Sequence, residues 1–130
     1  MRGTSRRATV TPGRLIDVDE DDPTNLGAIR RRFLEQIGAG AVRITQHAQQ
    51  EMAEEAFAYD EVVHAFADGE IIENYPEHRR GACCLLSGTT PLRRPVHIVC
   101  TTTQAVLILI TIYEPTPPKW VTPTQRRTPE

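Results

Sequence analysis

Gln104-Ala-Val-Leu-Ile-Leu-Ile-Thr-Ile-Tyr113 constrains the fold more than any other segment of the chain. Apolar residues occupy both parities along most of it, so a strand here must be covered on both faces and is expected at the centre of a sheet. Three other stretches read as strands. Glu70-Ile-Ile-Glu-Asn-Tyr75 is bounded by Pro76, Ala82-Cys-Cys-Leu-Leu86 is bounded by Gly88, and Arg94-Pro-Val-His-Ile-Val-Cys-Thr101 follows. β-Branched and aromatic side chains favour the extended form, and short links between the runs predict an antiparallel meander.

Before Gly69 the apolar period is helical. Leu26, Ile29, Phe33 and Ile37 predict a helix capped by Thr24 or Asn25 and stopped by Gly38. Ala41–Ile44 reads as one short strand. Thr45 then caps a second helix over Gln46–Ala56, with Ala48, Met52 and Ala56 on one face. A third helix over Asp60–Ala67 buries Val62, Val63 and Phe66 and ends at Gly69. Helices first and a sheet afterwards define an α+β domain, with N-terminal helices on a mainly antiparallel sheet of four to five strands.

The 130 residues suit one domain, and 39% hydrophobic content fills a core of roughly 90–100 ordered residues. The domain is expected over 24–120. An arm over 1–23, arginine-rich and then acidic, has no periodicity, and 121–130 is expected to be a disordered tail. Trp120, after a proline-rich stretch, is expected to fold back on the domain. The longest apolar run, Ala105–Ile110, is far short of the ~18–20 residues that cross a bilayer. No secretory leader is visible, so a cytoplasmic address is the expectation.

Cys83, Cys84 and Cys100 have no disulfide or zinc spacing and read as small buried residues. Net charge is −2, but the charges are grouped. Residues 59–78 carry six acids and no Lys or Arg, whereas 79–113 carry four arginines and no acid. Such grouping either gives one positive face for a polyanion or is mixed away by folding.

Several motifs occur in one order: Arg43-Ile-Thr-Gln-His-Ala48, Glu51-Met-Ala-Glu-Glu55, Gly69-Glu-Ile-Ile-Glu73, Tyr75-Pro76, Arg94-Pro-Val-His97, and Thr111-Ile-Tyr-Glu-Pro115 with Trp120. This ordered set, spanning roughly Leu26 to Trp120, resembles a bacterial family described as domain of unknown function 4258. That family is in turn similar to the RelE-, BrnT- and MqsR-like toxins. The resemblance implies a RelE-like architecture and a metal-independent endoribonuclease of a toxin–antitoxin module, using no cofactor. It also implies RNA as substrate and a small zinc-finger antitoxin as partner. The chain departs from the family pattern at Ala58, where a polar cap is usual. It departs again at Glu51 or Glu55, where a basic residue is common.

Metal-free RNA cleavage needs a base for the 2′-hydroxyl, an acid for the leaving oxygen and a fixed cation for the phosphorane. His47, just inside the second helix at the positive end of its dipole, is the leading candidate base. Its bland alternative is a capping or core-edge histidine. His97 lies within a strand and reads first as a core residue, although it can meet Thr111 or Tyr113 on the next strand and is the candidate second acid–base beside a catalytic core of His47, Arg43 and Tyr113. Thr111 and Tyr113 are expected on one face with Leu107 and Leu109, as the floor of a site. Tyr113 can bind phosphate or stack on a base, or can be a core-rim residue. Arg43 is a candidate phosphate ligand or an ion-pair partner of Glu51. Arg79 and Arg80 sit in a turn suited to RNA backbone. His64 and His78 have no supporting context. No HExxH, phosphate loop, nucleophile elbow or deaminase signature occurs. The rival class is a non-catalytic module binding protein or RNA through the same fold.

Overall fold

The computed structural model describes residues 22–117 and 120–126, so nearly all of the expected N-terminal arm lies outside the described residues. Asn25 opens α1 (Leu26–Gly38), and its side chain accepts the Ala28 N–H at 3.0 Å. The helix runs through Gly38, and the left-handed residue that turns the chain is Gly40, at φ 71°. Ile29 and Phe33 point into the core, as their spacing requires. On the flank, Arg32 donates to Thr102 O, and Gln36 Nε2 donates to Gln104 O and Ala105 O.

Next come β1 (Val42–Ile44), α2 (Gln46–Glu55) and α3 (Tyr59–His64). Ala58 gives α3 no side-chain cap, and the Glu61 carboxylate instead accepts the Ala58 N–H at 2.8 Å. The sheet strands are β2 (Glu70–Tyr75), β3 (Cys83–Thr89), β4 (Pro95–Thr101) and β5 (Leu107–Tyr113). Their spatial order is β1-β5-β4-β3-β2. The stretch β2 to β5 is the expected antiparallel meander. β1 adds to β5 in parallel, which makes the sheet mixed and five-stranded. The fold class is α+β. The middle strand is β4 and not the most apolar one, β5, which is second from the edge.

One face of the sheet carries Cys84, Leu86, Val96, Ile98, Cys100, Leu107, Leu109 and Ile112, all inaccessible to solvent and packed under the helices. Phe33 and Phe66 meet edge to face within this core. Gly69 and Gly88 let α3's end lie directly on the sheet. A Cβ at Gly69 would sit 2.4 Å from Ala65 O, and one at Gly88 would sit 2.3 Å from the same oxygen.

β5 does not keep one parity. Pairing with β4 slips between Val99 and Cys100, so Thr111 faces Val99 whereas Leu109 faces Cys100. The extra residue moves Thr111 and Tyr113 to the face away from the helices, while Leu107 and Leu109 stay in the core. The expected shared face for these four residues is therefore wrong, because a bulge resets the two-residue alternation.

On the face opposite the helices lies a small hairpin of β6 (Trp120–Thr122) and β7 (Gln125–Arg126), turning at Pro123 and Thr124. It falls where the sequence pattern suggests a disordered tail. Trp120 is buried, as expected of a ring folded back on the domain. Among the described residues no helix is long and apolar enough to cross a membrane.

Candidate functional site

The Thr45 hydroxyl oxygen caps α2 by accepting the Ala48 N–H at 3.0 Å. The same residue ties the helix start to β5: its N–H donates to Leu109 O and its hydroxyl to Ile110 O, both at 3.1 Å. β1 stops pairing at Leu109, so the remaining edge of β5 needs other acceptors for its outward amides. α2 supplies them. Glu51 Oε1 accepts the Ile112 N–H at 2.8 Å, and Glu55 Oε1 accepts the Glu114 N–H at 2.7 Å. Four residues of helix rise about 6 Å, and two residues of strand rise about 6.8 Å, so the two periods match over this pair. Glu51 and Glu55 thus serve as a substitute strand edge.

His47 lies on the same turn of α2. Its side chain is 64% exposed, and Nε2 stands 3.4 Å from Glu51 Oε1, the oxygen that also holds the Ile112 N–H. Nε2 is thus the ring nitrogen that faces the carboxylate, within ion-pair range of it. Arg43 is exposed on β1, on the opposite face from the core-packed Val42 and Ile44. It makes no ion pair or hydrogen bond with the described residues. The alternative pairing of Arg43 with Glu51 is not formed.

His97 and Tyr113 are brought together, as their neighbouring strands allow. His97 Nδ1 lies 3.1 Å from the Tyr113 hydroxyl, and Nε2 contacts Pro123 O. A carbonyl accepts, so the neutral ring donates from Nε2 and receives the phenol's hydrogen at Nδ1. Trp120 meets the imidazole at right angles, 4.4 Å between centroids, and the ring is inaccessible to solvent. Ser87 Oγ also donates to Pro123 O, at 3.4 Å. This cluster fastens the hairpin to the sheet. Thr111 is half-buried beside it, opposite Val99.

Arg94 has been drawn into structure. Its guanidinium donates to Glu114 Oε1 at 2.8 Å, to Ala56 O at 3.1 Å and to Glu55 O, and it lies 3.8 Å over the Phe57 ring. It thereby caps the C-terminus of α2, where Ala56 adopts a left-handed conformation. Arg79 and Arg80 are exposed in the β2–β3 turn. That turn lies at the opposite end of the sheet, because Cys83 pairs with Thr101 there and Ser87 pairs with His97 at the other end. Four residues of strand, about 13 Å, separate those two registers. Arg79 and Arg80 therefore do not join Tyr113 and His97, and the four arginines of 79–113 do not form one face.

His64 Nδ1 contacts Thr89 O, and His78 Nδ1 accepts the Arg80 N–H. Among the described residues no group of three or more His, Cys, Asp or Glu side chains converges as for a metal. Sequence reasoning missed Glu51 as the partner of His47. The available signal was the i, i+4 spacing of the two residues on one helix.

A family model described as domain of unknown function (DUF4258) matches residues 44–114. That span contains His47, Glu51, His97 and Tyr113, and Arg43 stands one residue before it. No curated protein and no solved structure matches the chain.

Proposed function

From the premise that this chain belongs to the DUF4258 family, a domain of unknown function, we propose that it is a toxin-like domain of RelE-like architecture that cleaves RNA without a metal. The observation that supports this reading is the solvent-facing imidazole of His47, oriented by a carboxylate that the β5 backbone in turn holds. A nitrogen base with a fixed orienting group is the minimal device for taking a proton from a 2′-hydroxyl. The 2′-oxygen then attacks phosphorus while Arg43 stabilises the added negative charge. The bond to the 5′-oxygen breaks, and the imidazolium returns its proton to that oxygen. A 2′,3′-cyclic phosphate and a 5′-hydroxyl remain. In this reading His97 and Tyr113, engaged with each other beneath the hairpin, hold it to the sheet.

In this reading the chain works in the cytoplasm, where its RNA is, and is held inactive by an antitoxin of small zinc-finger type. A second reading, a binding module without turnover, is favoured by the commitment of Glu51 and Glu55 to the backbone N–H groups of Ile112 and Glu114. The test is cleavage of RNA in EDTA by the native chain and by His47→Ala. We expect a loss of about 100-fold or more on substitution. Native protein that binds RNA but never cleaves it selects the second reading, and activity that survives His47→Ala removes the imidazole from the chemistry.

A further inference from the structure

The turn between β3 and β4 is held more firmly than a surface loop requires. Three bonds tie its ends: the Thr90 N–H donates to Arg94 O, the Arg93 N–H to Thr90 O, and the Arg94 N–H to Thr90 Oγ1. Thr90 is buried, and the Arg94 side chain is anchored to Glu114 and to the end of α2. At the tip of this fixed frame Leu92 stands 85% exposed, with Pro91 and Arg93 exposed on either side of it. Arg93 has φ 69°, a left-handed conformation that hairpin turns normally give to glycine or asparagine. A long cationic side chain therefore stands where it costs backbone strain. Asp68 and Glu70 of the same chain line a hollow with Arg93, and among the described residues neither forms an ion pair with it.

The other end of the sheet carries the complementary shape. An open hollow of about 410 Å³ is lined there by Asn74, Tyr75, Pro76, Glu77 and His78. Tyr75 is 42% exposed, and its hydroxyl donates to the Glu73 carboxylate, which brings a second acid to the tip of the ring. Arg79 and Arg80 follow in the same turn but line no part of the hollow. A leucine finds ring and pyrrolidine surface here, and a guanidinium finds carboxylates. The seven residues of β3, about 20 Å, separate knob from hollow, so one copy cannot fill its own.

We propose that Leu92 and Arg93 of one copy dock into the Tyr75–Glu77 hollow of the next, a head-to-tail contact between copies of this chain. The two surfaces differ, so each added copy leaves a free knob at one end and a free hollow at the other. One buried leucine and one rim ion pair make a small interface, and the association is weak. The fixed turn helps, because little ordering is left to be lost on docking. The contact uses neither His47 nor Arg43 and is independent of RNA cleavage.

Sedimentation velocity of the full-length chain from about 10 μM to about 1 mM covers the range in which so small a contact acts. The weight-average sedimentation coefficient is expected to rise past that of a dimer without a plateau. Leu92→Asp, at a site exposed in the monomer, is expected to weaken the association by at least about 10-fold. Tyr75→Ala/Glu77→Lys is expected to do the same from the side of the hollow. Arg93→Gly relaxes the turn, so its expected weakening, up to about 5-fold, cannot come from unfolding. A mixture of Leu92→Asp and Tyr75→Ala/Glu77→Lys protein holds one intact knob and one intact hollow, and it is expected to stop at the dimer. A native chain that stays monomeric throughout, or that levels off as a dimer, overturns the proposal. So does association that survives Leu92→Asp, or a mixture that stays monomeric while the native chain associates.

Discussion

Glu51 accepts the main-chain N–H of Ile112 at 2.8 Å across 61 residues of sequence. One carboxylate therefore closes the exposed edge of β5 and lies against the ring of His47. Removing it as Glu51→Ala leaves a half-buried amide without its acceptor, which costs about 1.5–3 kcal/mol. Glu51→Gln keeps a neutral acceptor and is expected to cost about 1 kcal/mol. Urea unfolding of the two variants measures the difference, and equal losses would sink the strand-capping role.

Tyr113→Phe takes away the hydrogen donated to His97 and is expected to lower stability by about 1–2 kcal/mol. Cleavage per folded molecule should not change, since the phenol acts through the hairpin. Trp120 is the one tryptophan of the chain, so its emission reports hairpin attachment and should shift to the red in His97→Ala. A tenfold loss of cleavage in Tyr113→Phe at unchanged stability would return the phenol to the chemistry.

Burial pushes the Cys100 thiol well above its ordinary value of 9.0, helped by the adjacent Cys84 thiol, 4.0 Å away. Burial raises Cys83 as well. The folded chain holds these protons more tightly than the unfolded chain does. Their contribution to stability is therefore complete below about pH 9 and is lost as pH rises beyond it. Cys100 alone accounts for up to about 1.4 kcal/mol per pH unit on that alkaline limb. Cys100→Ala should flatten the limb in urea melts run with reductant. Parallel curves for the variant and the native chain would refute the linkage.

Two glycines should respond with opposite signs. A Cβ at Gly88 would lie 2.3 Å from Ala65 O and 2.8 Å from Ala65 Cβ, so Gly88→Ala forces α3 off the sheet at a cost of about 1–3 kcal/mol. Gly38 has nothing within 4 Å of such a Cβ and lies in a helix, so Gly38→Ala should stabilise by about 0.5–1 kcal/mol. Thermal melts of the pair decide it, and a stable Gly88→Ala would refute the close approach.

The local signals in the sequence carried the elements. Asn25 and Thr45 cap helices because their oxygens reach amides three residues on, and the shift of period at Gly69 marks where the meander starts. What pattern could not carry was pairing across distance. Nothing in Val42–Ile44 says that it runs parallel to a strand more than 60 residues later. Glu51 and Glu55 look like a lost basic site until β5 is laid beside them. The bulge in β5 is likewise silent, since Ile110 and Thr111 would suit either parity. Arg94 looked like free positive charge in an acid-free stretch, yet Glu114 and the end of α2 consume it. Arg32 and Ala82 belong to different segments, and Thr102 in the β4–β5 loop is bonded to both.

β1 and α2 are synthesised early, and the strand both must grip is the last of the five-stranded sheet. At about 5–20 residues per second, a ribosome needs about 3–13 s to pass from Thr45 to Ile110, 65 positions apart. During that interval the nascent chain carries carboxylates waiting for amides that do not yet exist. Emergence of β5 then joins both halves in one event, so cotranslational folding closes the five-stranded sheet from the last of its strands to be made.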